Sequence, residues 1–181
     1  MIAASKAVTQ HRDVMAARWV EWLGDRIIGT RTASLSLTDA EFGVILEVFA
    51  ALVGPLRREV RPLWAKVTER YGRHAAARGL AAGEVVEEMQ YLRELLIRYL
   101  APAIAALRPR QGMALLLRLN RLVDKGVAMA VVGYTDALVQ TLIPPADGEP
   151  AEPMADDGDL EAWLQAVRAE LDLTLTVSTK Q

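Results

Sequence analysis

Apolar residues return along most of this chain at three- and four-residue steps, the spacing that gathers them on one face of an α-helix. Val8, Met15, Trp19, Trp22 or Leu23 and Ile27 predict a first helix from about Ser5 to Ile28, closed by Gly29. A Thr- and Ser-rich connection runs from Gly29 to Leu37. Thr38-Asp39-Ala40-Glu41 then has the form of a capping box, in which a hydroxyl and a carboxylate satisfy free amides at a helix start. A second helix is expected from there to about Val53, where Gly54-Pro55 breaks it.

Pro62 suits the first turn of a third helix, which carries Leu63, Trp64, Val67 and Tyr71 towards Gly79. The pattern does not assign Leu56 to Arg61. From Gly83 the seam of Val85, Met89, Leu92, Leu96 and Tyr99 predicts a fourth helix that Pro102 kinks or ends. Pro109 marks a boundary, and a long helix is expected from about Gly112 to Leu142. Its seam of Leu116, Val123, Val127, Ala130, Tyr134 and Leu138 keeps nearly coiled-coil spacing and suits a bundle core or a homodimer.

After Ile143 the pattern stops. Four prolines mixed with Asp147, Glu149, Glu152, Asp156 and Asp157, and no basic residue, read as a solvated linker over 144–158. Leu160, Trp163, Leu164, Val167 and Leu171 then restore the helical period between Asp159 and Leu173. The expected architecture is all-α: a bundle of about five to six helices, a globin-like arrangement among its forms. A sensory or interaction domain over 1–143 is followed by the linker and by a C-terminal amphipathic helix and tail over 159–181.

Composition narrows the function. Of 181 residues 52% are hydrophobic but only 6% aromatic, which suits close-packed helices better than strands. A formal net charge of −2 gives no general attraction to nucleic acid or anionic lipid. The absence of cysteine removes disulfides, thiol nucleophiles and thiolate metal sites. Charges interrupt every apolar run before it reaches membrane-spanning length, and the N-terminus lacks a secretory core, so a cytoplasmic protein is expected.

No pattern for catalysis stands out. His11 and His74 share no ligand spacing with another donor, so neither a metal nor another cofactor is expected. Lys66, Arg70, Arg73, His74 and Arg78 could line a helix and hold an anion, or form a solvated basic face helped by a Glu69–Arg73 pair. Glu84, Glu87, Glu88 and Glu94 open a helix, where the dipole favours negative charge; they read as structural. An enzyme built on Glu87, Glu88 or Asp124 would need a polar pocket. Asn120 and Asp124, four residues apart beside the long seam, could fix register between helices or subunits. The tryptophans read as core or interface anchors.

Tyr71-Gly72-Arg73-His74 to Arg78-Gly79, followed by Val85 to Arg93, resembles the N-terminal domain of the RsbT co-antagonist RsbRD family, which also occurs at the front of some bacterial sensor histidine kinases. Leu119-Asn120-Arg121-Leu122-Val123-Asp124 to Tyr134 is similar to that domain's closing helix, and the likeness covers about residues 15–140. The resemblance implies a helical, commonly dimeric domain that binds a regulatory protein partner upstream of a stress-response or phosphorelay output. The alternative is a helical sensor of a small molecule or tetrapyrrole. Candidate interface or ligand contacts are Arg70, His74, Arg78, Asn120, Asp124, Val127, Tyr134 and Trp163.

Overall fold

A computed structural model describes residues 2–26, 35–142 and 157–178. Its regular structure is six helices: α1 (Ile2–Arg26), α2 (Leu35–Leu52), α3 (Arg57–Ala77), α4 (Ala82–Ala105), α5 (Pro109–Leu142) and α6 (Asp157–Ser178). The stop expected at Gly29 and residues 144–156 of the expected linker lie outside the described residues, while Asp157 and Gly158, also expected in the linker, open α6. No strand occurs among those described.

The apolar seams of α1 to α5 meet in one core. In space α1 packs on α2, α2 on α3, α3 on α5, α5 on α4, and α4 back on α1, closing a ring. The amphipathic α6 lies across α2 and α3 and buries Leu160, Leu164, Val167 and Leu171. It runs antiparallel to α3, since Trp163 lies by Arg70 and Glu170 by Lys66. The C-terminal amphipathic helix therefore docks on the bundle.

Aromatic residues lock the ring. Trp19 of α1 stacks on Phe42 of α2 with centroids 3.9 Å apart, and Phe49 meets Trp64 edge-on at 5.3 Å. The buried indole of Trp64 donates to the Leu122 carbonyl at 2.9 Å, joining α3 to α5. These two helices also approach most intimately: a Cβ on Gly72 would stand 1.8 Å from the Ala130 oxygen, and one on Gly133 would stand 1.9 Å from the Glu69 oxygen. Gly126 in turn faces the ring of Trp64.

That crossing assigns the long seam to the bundle core, the first of its two expected roles, and leaves little of it for a homodimer. Val123, Ala130 and Tyr134 are buried within the chain, Val127 is half-buried against the core, and only Leu138 of the seam is well exposed. Small residues allow close helix approach, but α3 of the same chain occupies the space.

Several boundaries also move. Because α2 begins at Leu35, Thr38 and Glu41 lie inside it on the buried stripe with Phe42 and Ile45, not at a capping box. Glu84 supplies such a cap at α4, its carboxylate accepting from the Ala81 amide at 2.6 Å. The unassigned stretch before Pro62 is helical from Arg57 onwards, and α5 begins at Pro109, whose missing donor costs nothing at a first helical position. Pro102 does not end α4. It lies exposed in the last turn, and Arg98, one turn earlier, is exposed too, so the Arg98 carbonyl loses its helical partner where water can replace it.

The end of α3 is placed where the sequence predicts it. Gly79 takes φ 81°, Leu80 N–H donates to the Ala75 carbonyl at 3.1 Å and Gly79 N–H to that of Ala76 at 2.9 Å, which together form a Schellman closure. Tyr134 donates its hydroxyl to the Leu80 carbonyl at 2.9 Å, pinning this turn to α5.

Candidate functional site

The basic run of α3 divides into an outer and an inner set. Lys66 pairs with Glu170 of α6 at 2.9 Å, Arg73 with Glu69 one turn earlier, and Arg70 lies over the Trp163 ring at 5.8 Å. These are surface contacts, of small energetic weight. His74 and Arg78, in contrast, turn inward. The solvated-face reading fails for both, because they are buried and meet side chains of α2 and α4.

Inside, His74 Nδ1 stands 2.7 Å from Glu41 Oε2, joining α3 to α2. Tyr71 donates its hydroxyl to Glu88 Oε2 of α4, and Arg78 Nη2 reaches the same oxygen at 3.4 Å. The Arg78 guanidinium also lies 5.6 Å from the centroid of the Tyr71 ring. Trp19 and Phe42 pack against Tyr71, so this polar group is walled by aromatic rings.

Burial controls its electrostatics. Glu88, only 1% exposed, has its carboxyl pushed above the usual range by desolvation, against the opposing pull of Arg78 and the hydrogen bond from Tyr71. Burial likewise carries the Tyr71 hydroxyl well above its ordinary value, with the nearby Glu88 charge acting in the same sense. For Arg78 burial acts to lower the value, but Glu88, Tyr71 and Glu41 outweigh it and the guanidinium stays charged.

The group is not fully satisfied from within. Glu41 Oε1, Glu88 Oε1, Arg78 Nε and Nη1, and Trp19 Nε1 are buried without a hydrogen-bond partner. Donors and acceptors are both present, a complement that ordered water can bridge. Chemically the arrangement ties three helices to one another through α3. His74, on which a tetrapyrrole reading would rest, is already engaged by Glu41. No cluster of three or more metal-ligating side chains occurs among the described residues, and no described helix is long and apolar enough to cross a membrane.

The remaining candidates do not join this group. Asp124 is exposed and pairs with Arg93 of α4, while Asn120 is half-buried on α5. Tyr134 serves the α3 closure, and Val127 and Trp163 are half-buried packing residues. Sequence reasoning missed Glu41 and Glu88 as partners of the basic run. A signal was present: Val85, Glu88, Met89, Leu92, Leu95 and Leu96 form one continuous helical stripe, and Glu88 sits within it.

Compared with models of protein families, with curated proteins and with solved structures, the chain matches none.

Proposed function

We propose that this chain is a non-enzymatic regulatory domain of bacterial signalling that acts by binding protein, in the first place a second copy of itself. One observation carries the reading. The outer face of the C-terminal half of α5 exposes Val132, Leu138, Val139 and Leu142, at 45%, 41%, 44% and 79%, and Asp136 is the only charge between residues 128 and 142. Ala128 and Thr135 continue this face at heptad spacing with Leu142. Contiguous exposed apolar surface of this kind marks interaction sites in soluble proteins. The buried ionisable groups support the non-enzymatic part, since they are bound to one another inside the bundle. The likeness of 71–93 and 119–134 to the RsbRD N-terminal domain supports the stress-response or phosphorelay setting.

Light scattering on the purified chain tests this. The wild type should be a dimer at micromolar concentration, and Val132→Glu/Val139→Glu should convert it to a folded monomer, because two carboxylates in an apolar interface carry a large desolvation cost. Both positions are exposed, so the fold should survive. A wild type that is monomeric throughout that range sinks the self-association reading.

A further inference from the structure

The opening turns of α3 and the first half of α5 bound an open cleft of about 700 Å³. Arg57, Arg58, Arg61, Arg118 and Arg121 line it, and no acidic residue does. Arg57, Arg58, Arg61 and Arg121 have no ion-pair partner among the described residues. The crowding shows at Arg118, whose value is lowered first by burial and then by the neighbouring charge of Arg57. Leu117 and Leu122 supply an apolar wall, with the buried Leu52 behind it.

Water keeps these guanidinium groups solvated, yet with no carboxylate among them they set up a concentrated positive field for an anion entering the cleft. It arises on a chain whose formal net charge is −2, so it is local to the cleft and not a general basic character. The volume lies in the range of roughly 300–1,000 Å³ usual for small-molecule sites. Guanidinium forks match phosphate oxygens two at a time, which an ammonium cannot do, and every cation here is arginine.

We propose that this cleft binds a phosphorylated small molecule carrying at least two negative charges, with its phosphates on the arginines and an apolar or aromatic portion against Leu117 and Leu122. A long polyanion suits the place less, because the positive field is confined to one concavity. The site lies in the opposite half of α5 from the apolar face and does not depend on self-association.

Calorimetric titration of the full chain in low-salt, phosphate-free buffer, with inorganic tripolyphosphate and with ATP as probes, tests it. Both should bind with one-to-one stoichiometry, ATP at least as tightly as tripolyphosphate. Arg58→Ser/Arg121→Ser should weaken both by about tenfold or more, since each lost charge-assisted hydrogen bond is worth that much, with an unchanged melt. Arg57→Ser/Arg61→Ser provides an independent pair should the first melt early. No binding at millimolar probe, or full affinity in both double variants, overturns the proposal. ATP binding more weakly than tripolyphosphate removes the leucine wall from it. An acidic peptide that displaces tripolyphosphate and binds more tightly than either probe assigns the cleft to a protein partner and overturns it as well.

Discussion

At its C-terminal end α3 turns His74 and Arg78 inward to meet Glu41 and Glu88, whereas at its N-terminal end Arg57, Arg58 and Arg61 stand around an open cleft without a carboxylate. Both ends are basic and both lie near neighbouring helices. They differ in what has been taken from water: the inner charges are desolvated and must be matched by the chain itself, while the outer ones keep their hydration and tolerate being unmatched. Charge at the closed end is committed to the fold. Charge at the open end is available to something else.

The sharpest way to break that contrast is at Glu88. Glu88→Ala leaves the Arg78 charge and the Tyr71 hydroxyl buried without their shared acceptor, at an expected cost of about 3–5 kcal/mol. The melting temperature should drop by roughly 6–20 °C at this chain length. A drop of one or two degrees would mean that water reaches the group freely. Tyr71→Phe keeps the ring and removes only the hydrogen bond to Glu88, so about 2 kcal/mol is expected from chemical denaturation.

The pH dependence sharpens the same point with a smaller signal. Glu88 has a folded value raised above its ordinary 4.5, so the stability it contributes is fully present below 4.5 and is lost as pH rises through the folded value. Glu88→Gln retains an acceptor but cannot titrate. The wild type's melting temperature should therefore decline relative to this variant as pH increases from 4.5, and parallel profiles would place the carboxylate in a hydrated environment. At the open end the expected effect is smallest: Arg58→Ser and Arg121→Ser should each change stability by less than about 0.5 kcal/mol, because neither loses an ion pair. A larger loss would show that these arginines also hold the fold together.

The periodic seams made the helices legible, and the Gly79 stop was readable because a Schellman closure has a local signature. Charged residues were harder to place. Glu41 and Glu88 look like helix-start acids, and each local reading is physically sound; what overrules it is the approach of α3, which no neighbouring residue encodes. The arginine cleft was hidden for a related reason. Arg57, Arg58 and Arg61 lie about sixty residues from Arg118 and Arg121, and the Trp64–Leu122 hydrogen bond, between residues 58 apart, is part of what brings those stretches together. The seam of α5 was recognised, but a period alone cannot say whether a helix faces its own chain or another.

The close crossing of α3 and α5 sets a rule for anyone redesigning this protein by the usual route to thermostability. Exchanging a helical glycine for alanine normally helps by about 0.5–1 kcal/mol, by restricting the unfolded chain and improving helix propensity. Gly24, Gly43 and Gly83 have open space where a methyl group would go, and there the exchange should be favourable. At Gly72 and Gly133 the added carbon would meet backbone atoms that no rotamer change can move aside. A consensus or propensity-driven library that treats all five alike would therefore mix its best substitutions with two that force the helices apart.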